Sequence, residues 1–420
     1  MRFRTLSEWL RWQETLHPKA MDLGLERCAE VAARMGLLAA PFAVVTVGGT
    51  NGKGSCVAML DAVLRAGGHR TGAYTTPHLL CYNERIAICG RPVSDATLMR
   101  SFQRIDAARG QTTLTYFEFG TLAALDIFAR SGVEVALLEV GLGGRLDAVN
   151  VLDADIALVT TVDVDHVEWL GENRDIIARE KAGIFRSGRP AVCGDAEAPA
   201  TLEACALERG TTLHRLAREY DFEETPDGWL WRHGETVLEG LPRPGVGGAF
   251  QLQNAAAALM VLELLKERLP VSEAAVHAGL RASHLPARFQ IFRGPVERIV
   301  DGAHNAQAAR ALARGLRARR CTGRTLAVFA MLADKDVVGV AGAVQELVDA
   351  WYLGGLAVPR GASVQELMER LKGLTAGASV AAFGHVAAAY AAARSAAEPG
   401  DRVIAFGSFH TAAQALRLES

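Results

Sequence analysis

The 420-residue chain has no Cys-x-x-Cys pair, no apolar run of membrane-spanning length and no excess of charge of either sign. Each absence argues against a class of function. Its seven cysteines, at 28, 56, 81, 89, 193, 205 and 321, are scattered and odd in number. They fit a reducing cytoplasm and neither a disulfide scaffold nor a zinc site. The densest apolar stretch, Ala255 to Leu262, is far short of the roughly 20 residues that cross a bilayer and reads as a buried helix. The N-terminal MRFRTLSEWLRWQETLHPKAM has no uninterrupted apolar core, so no secretory leader is expected. Lys and Arg number 45 against 47 Asp and Glu, a formal net charge of −2. That balance gives no support to nucleic-acid binding. Arg310, Arg314 and Arg317 share a helical face, with Arg319, Arg320 and Arg324 beyond; they read as a solvated surface.

What is present is a core-forming composition, with half the residues hydrophobic. A chain of this length is expected to form two or three domains. Residues 1–42 read as a helical lead-in, in which Leu23-Gly24-Leu25-Glu26-Arg27 opens a helix. From 43 to about 190, strands at 44–47, 71–75, 135–138 and 156–160 alternate with helices near 55–66, 94–108, 118–131 and 173–185. Such alternation implies a mostly parallel sheet with helices on both faces. Residues 190–250 are irregular and read as peripheral strands, followed by helices at 253–268 and 272–282. A break falls at Leu285-Pro286-Ala287-Arg288-Phe289, after which strands (296–300, 326–331, 350–353, 379–383, 403–406) and helices (304–320, 335–348, 363–372, 384–397, 408–417) alternate again. This predicts a second, smaller doubly wound domain, with domains at 1–287 and 288–420.

The most informative segment is Val44-Val45-Thr46-Val47-Gly48-Gly49-Thr50-Asn51-Gly52-Lys53-Gly54-Ser55. A β-branched run stops at a glycine-rich turn, and a helical pattern follows. Strand, turn and helix in this order make a phosphate loop: backbone N–H groups turn inward, the helix N-terminus adds partial positive charge and Lys53 adds a full one. The spacing departs from the usual P-loop. Three residues, not four, separate Gly48 from Gly52, and Gly54 stands where the hydroxyl after the lysine belongs.

Other polar groups fall at predicted strand C-termini, where an open α/β sheet places its ligands. Glu139 ends the run Val135–Leu138 and precedes a glycine-rich loop, Val140 to Asp147. A carboxylate there is well placed to hold Mg²⁺. Thr75 and Thr76, before Pro77 and His78, are hydroxyl ligands or plain turn residues. His166 is a metal or ligand partner or a structural histidine. Lys181 reads on sequence alone as a surface lysine. In the second domain, Asp301-Gly302-Ala303-His304-Asn305 and Gly407-Ser408-Phe409-His410 are further strand-to-helix switches. Several such groups converging on one cleft make a binding site.

Taken together, GGTNGKGS, TTPHLLCYNERI, TYFEFGTLAAL, LLEVGLGGRLDAVN, DHVEWLG, IAREKAGIFR, LPARFQ, DGAHN and GSFHT resemble the dihydrofolate synthase/folylpolyglutamate synthase family, relatives of the Mur ligases. The resemblance runs from about residue 20 to 415, and the unusual loop spacing belongs to that family's pattern. It implies a Mur-ligase-like P-loop ATPase domain followed by a Rossmann-like ligase domain. It further implies an ATP- and Mg²⁺-dependent amide ligase working through an acyl phosphate. By motif, Thr50, Asn51, Gly52, Lys53, Gly54 and Ser55 would cradle ATP. Thr76 and Glu139 would hold one Mg²⁺, and His166 with Glu139 a second. The family commonly has serine at the place of Thr76. Lys181 matches a lysine that is carbamylated in the family. Asn254 would meet adenine. Arg288 and Asp301 would complete the nucleotide site, and His304 and Ser408 resemble positions tied to glutamate.

On the acceptor side, Asp22, Leu23, Gly24 and Leu25 resemble a segment lining the dihydropteroate pocket of bifunctional bacterial members. Thr115, Tyr116, Phe117 and Glu118, together with Leu146, Asp147 and Ala148, match further parts of it; Phe117 is suited to stack a flat ring. The implied substrates are 7,8-dihydropteroate, reduced folates and L-glutamate, and a cytoplasmic monomer is expected. Two rivals remain, a Mur-type ligase for a UDP-linked acceptor and a nucleotide-switched binding protein, besides the narrower reading of a folylpolyglutamate synthase only. The first would carry a domain ahead of the phosphate loop, for which the 45 residues before Thr46 are too few.

Overall fold

A computed structural model describes residues 2–375 and 377–419. The chain divides into two compact units, one formed by 1–245 with 252–284, the other by 246–251 with 285–420.

The first unit is built on an eight-stranded sheet. Its strands are β1 (Ala43–Gly48), β2 (Thr71–Tyr74), β3 (Ile86–Ile88), β4 (Arg91–Pro92), β5 (Val135–Glu139), β6 (Ile156–Val159), β7 (Pro190–Cys193) and β8 (Thr212–Arg215), in the order β4-β3-β2-β5-β1-β6-β7-β8. The run from β2 to β8 is parallel, while β3 and β4 add an antiparallel edge. Strands buried on both faces must be apolar throughout, and Ala43–Gly48 and Val135–Glu139 are buried at every position. A three-stranded antiparallel sheet, β9 (Tyr220–Thr225), β10 (Gly228–His233) and β11 (Thr236–Leu241), belongs to the same unit. The region after residue 190 is therefore peripheral only in part. Its β7 and β8 extend the main sheet, and a helix, Ala200–Arg209, unforeseen in the sequence, joins them.

The second unit is a six-stranded sheet of β12 (Gln290–Phe292), β13 (Glu297–Val300), β14 (Thr325–Phe329), β15 (Ala350–Gly354), β16 (Ser379–Phe383) and β17 (Arg402–Phe406), ordered β12-β13-β17-β14-β15-β16. All neighbours are parallel except β12 with β13. The helix expected over 335–348 is shorter, Val337–Gly342, followed by a separate 3₁₀ turn at Gln345–Leu347. Residues 246–251 join this unit through local contacts: Arg314 lies 4.1 Å over the Phe250 ring, and a side chain at Gly247 would strike the carbonyl of Phe289.

Candidate active site

The phosphate loop follows β1 directly and opens the helix Lys53–Ala66. Gly49 and Gly52 have φ of 140° and 91°, values that favour glycine. Space also demands glycine: a Cβ would come to 1.9 Å from Thr160 Oγ1 at Gly49 and to 2.4 Å from Asn254 Oδ1 at Gly52. Asn254 is buried, so its amide packs on the phosphate loop itself. The loop end of the adjacent β6 fixes the turn. Thr160 and Thr161 donate their hydroxyls to the Asn51 carbonyl at 2.6 and 3.2 Å. Thr161 accepts from the Asn51 N–H at 3.0 Å. Thr50 donates to the Asp163 carbonyl and accepts from the Asp163 N–H, at 2.9 and 3.0 Å. These partners were not foreseen, although hydroxyls at a strand end beside a glycine turn were visible in Thr160-Thr161. Lys53 Nζ donates to the carbonyls of Gly49 and Thr50 at 2.9 and 3.0 Å.

On the other side of β1, Glu139 pairs in register with Val47. It is buried at the end of β5 and accepts from the Thr76 N–H at 3.1 Å. The two predicted residues are thus neighbours through the Thr76 backbone, while the Thr76 hydroxyl accepts from Arg85 Nη1 at 3.3 Å. Two hard oxygen donors suit Mg²⁺, which keeps several waters and takes phosphate oxygens for its remaining positions. His166 caps the short helix Val167–Leu170 with a left-handed φ of 53°; its ring nitrogen is a less natural donor for that ion.

Lys181 corrects the sequence reading. It is 2% exposed, not a surface residue. Desolvation, aided by the nearby positive charge of Lys53 and opposed by Asp165, lowers its ammonium pKa to about 7.

The residues expected on the acceptor side separate into some that line a cavity and others held in protein contacts. Leu23 and Leu146 line a common cavity of about 300 Å³ with Leu142, Arg145, Trp169, Ile176 and Glu180. Phe117 lies 5.9 Å from Tyr74, ring to ring, and against Gly141, where a Cβ would touch its ring at 2.9 Å. Thr115 and Glu118 form the capping box of the helix Tyr116–Ser131, and Glu118 pairs with Arg27 at 3.1 Å. Arg27 also pairs with Asp22 at 2.7 Å, tying the segment 22–25 to that helix. Asp147 is buried, next to the buried Ala148. It accepts from the N–H groups of Leu142 and Val149 at 2.9 and 3.1 Å, and burial raises its pKa to about 6. Asp22, Thr115, Glu118 and Asp147 therefore shape this region through protein contacts.

In the second unit, Asp301 accepts from the N–H groups of Phe289 and Ala303, both at 2.7 Å. Desolvation pushes its carboxyl above the ordinary range against the pull of Arg288. Arg288 lies 4.7 Å over the Phe409 ring, and His304 is 5.3 Å from the same ring. Arg288 is flanked by Ala287 and Phe289 at φ of 55° and 43°. Left-handed backbone at two side-chain-bearing residues is strain of the kind that gathers at functional sites. Phe409, which collects Arg288 and His304, escaped the sequence reading. Ser408 is 3% exposed and caps the helix Phe409–Leu416, accepting from the Thr411 N–H at 3.0 Å.

Among the described residues no helix is long and apolar enough to cross a membrane. Residues 47–202 match the Mur ligase middle domain, and residues 287–409 match the Mur ligase, glutamate ligase domain. The dihydrofolate synthase/folylpolyglutamate synthase of Escherichia coli (strain K12) is 44% identical over 414 residues, covering 98% of this chain and 95% of that protein. The Haemophilus influenzae protein of the same name is 38% identical, covering 97% and 96%. The structure of E. coli FolC in complex with DHPP and ADP superposes with a TM-score of 0.94 at 43% identity, covering 99% of this chain and 98% of that one. A bifunctional folylpolyglutamate synthase/dihydrofolate synthase with Mn, AMPPNP and L-glutamate bound gives 0.92 at 44% identity, with the same coverage. The chain belongs to the dihydrofolate synthase/folylpolyglutamate synthase family and has the α/β architecture of the Mur-type ligases.

Proposed function

We propose that the protein is a cytoplasmic bifunctional ligase that uses ATP to join L-glutamate to 7,8-dihydropteroate and to extend reduced folates by γ-linked glutamates. The observation that carries this reading is the set of groups around β1. A stitched phosphate loop with Lys53 lies on the strand whose neighbour ends in Glu139, and Glu139 is bonded to Thr76. The names and bound compounds of the relatives support the same substrates.

A carboxylate is a poor electrophile until one of its oxygens leaves as phosphate. An acceptor carboxylate oxygen therefore attacks the γ-phosphorus of ATP first, and the bond to ADP breaks. The glutamate nitrogen then attacks the acyl carbon and loses a proton, and phosphate departs with the original carboxylate oxygen. Lys53 and the loop amides of Thr50 to Ser55 bind the phosphates and offset the charge that develops on them. Glu139 and Thr76 would hold Mg²⁺, with His166 toward a second ion; bound there, the metal supplies charge neutralisation to the transferring phosphoryl group. Lys181, as the neutral amine, takes up CO₂ and becomes a carboxylate beside this set. Asn254 shapes the loop through Gly52. Arg288 and Asp301 are assigned to nucleotide, and His304 and Ser408 to glutamate. Leu23, Gly24, Leu25, Tyr116, Phe117, Leu146 and Ala148 are assigned to the acceptor, with Asp22, Thr115, Glu118 and Asp147 holding them.

The test is product formation by purified protein with ATP, Mg²⁺ and glutamate. Dihydropteroate should yield dihydrofolate, ADP and phosphate, and tetrahydrofolate should yield its γ-glutamyl extension. ¹⁸O in the acceptor carboxyl should appear in the released phosphate. No transfer to either acceptor, with turnover on a UDP-linked peptide acid instead, replaces this reading with a Mur-type one.

A further inference from the structure

Arg85 follows β2 by a short 3₁₀ turn, Tyr82–Arg85, and is half-buried beside the proposed metal ligands. Its guanidinium is unusually placed. Nη1 donates to Thr76 Oγ1 at 3.3 Å and Nε to His78 Nδ1 at 2.9 Å. The flat group lies 5.5 Å from the Tyr82 ring centroid and 5.6 Å from that of Tyr116. Among the described residues it forms no ion pair with a carboxylate, and the hydroxyl of the buried Tyr74 lies beside it. Its charge is nonetheless close to Glu139, because the Thr76 N–H that precedes the shared hydroxyl is bonded to Glu139 Oε2. A guanidinium drawn partly out of water normally finds a planar anion to match its fork. Here two rings and a hydroxyl hold it in orientation, and no described carboxylate fills that part.

Two kinds of anion belong to the proposed reaction, a polyphosphate and an acceptor carboxylate. The phosphate loop already provides Lys53 and inward amides for the first. For the second, the other acceptor-side cations are committed: Arg27 is paired with Asp22 and Glu118, and Arg145 with Glu180 at 3.0 Å. Arg85 also rests on Tyr116, whose neighbour Phe117 is the ring offered to the acceptor's flat head.

We propose, resting on the ligase reading above, that Arg85 is the acceptor-positioning residue: its guanidinium pairs with the carboxylate of the acceptor and presents it beside the Thr76–Glu139 end of the sheet. The fork offsets the repulsion between an anionic acid and an anionic phosphate, and its planarity sets the acid's orientation. Tyr82, Tyr116 and His78 keep the fork in place.

Calorimetric titration with dihydropteroate and with its decarboxylated analogue, which keeps both rings and replaces the carboxyl by hydrogen, tests this directly. The wild type should bind the acid about tenfold or more tightly than the neutral analogue. Arg85→Gln should abolish the preference, and Arg85→Lys, a point charge without the fork, should retain part of it. Circular dichroism and the thermal midpoint report whether each variant is folded. Equal affinity of the wild type for acid and analogue overturns the proposal without any variant. So does a folded Arg85→Gln protein that keeps the wild-type preference, including the case in which its ATP affinity falls, since the fork would then serve phosphate. Failure of the wild type to make dihydrofolate is a separate result and bears on the ligase reading alone.

Discussion

At the end of β1 the phosphate loop is held by its neighbours. Thr160, Thr161 and Asp163 bond its backbone, so the turn does not rest on charge alone, although Lys53 also donates to the carbonyls of Gly49 and Thr50 and Glu139 accepts from the Thr76 N–H. At the ends of β13 and β17 the polar side chains are themselves the fasteners. Asp301 satisfies two backbone N–H groups, Asn305 caps the helix Ala306–Arg317 and Ser408 caps the last helix. The difference teaches that a polar strand end is not one kind of feature. Where backbone and hydroxyls do the fastening, a charged residue can be altered with little structural effect. Where the functional candidate is the fastener, activity and folding fall together.

The sharpest form of this contrast is Lys53→Ala. Loss of the charge proposed to meet the transferring phosphoryl group should lower kcat/KM for ligation by about a hundred- to a thousandfold, and the thermal midpoint should move by no more than about 2 °C. Glu139→Gln should behave alike, because the amide oxygen still accepts from the Thr76 N–H. A large drop in midpoint for Lys53→Ala would break the comparison at its first term.

Asp301→Ala is the counterpart. It leaves the Phe289 and Ala303 N–H groups without their acceptor, at about 1–3 kcal/mol each where they are shielded from water. The midpoint should fall by several degrees and activity should be lost with it. Asp301→Asn, which keeps one acceptor oxygen, should recover part of the stability. Wild-type stability in Asp301→Ala would show that the carboxylate is not a fastener.

Lys181 stands between the two cases. Its amine is half neutral near its pKa of about 7, and only the neutral form adds CO₂. With ¹³C-bicarbonate, a carbamate carbon signal should grow as pH rises through neutrality and be missing in Lys181→Arg. Linkage sets the sign for stability. The unfolded lysine, at its ordinary value, binds more protons than the folded one between about pH 7 and 10, so stability of the unmodified protein rises with pH there. Lys181→Met should flatten that rise.

The parallel sheets, the phosphate loop and Glu139 were legible because each depends on local pattern: an apolar β-branched run, glycine, then a charged residue at the strand end. Burial of Lys181 was not, since the charged Arg179 and Glu180 precede it directly and Gly144, far away in sequence, packs against its backbone carbonyl. Nor was the grouping of residues 246–251 with the second sheet, which depends on Phe250 meeting Arg314. Arg85 was invisible for a related reason. Sequence displays a charge, but only coordinates display which groups surround that charge and whether a carboxylate is among them. The double use of Glu118, as cap and as partner of Arg27, was half legible, because Thr-x-x-Glu announces a capping box while the ion pair spans about ninety residues.

The smallest effect gives the finest test. Ser408→Ala removes a cap and should lower stability by about 0.5–2 kcal/mol, enough to see as a shift of a few degrees in the unfolding midpoint. If Ser408 only fastens the last helix, Ser408→Asp, which preserves an N-terminal acceptor, should recover the midpoint and the KM for glutamate together. If its hydroxyl also meets glutamate, the added charge should repel the amino acid's carboxylates, so that the midpoint recovers while the KM for glutamate rises. The split between those two readouts decides whether this fastener is also part of the glutamate site, and so whether the contrast between the two sheets is one of kind or only of degree.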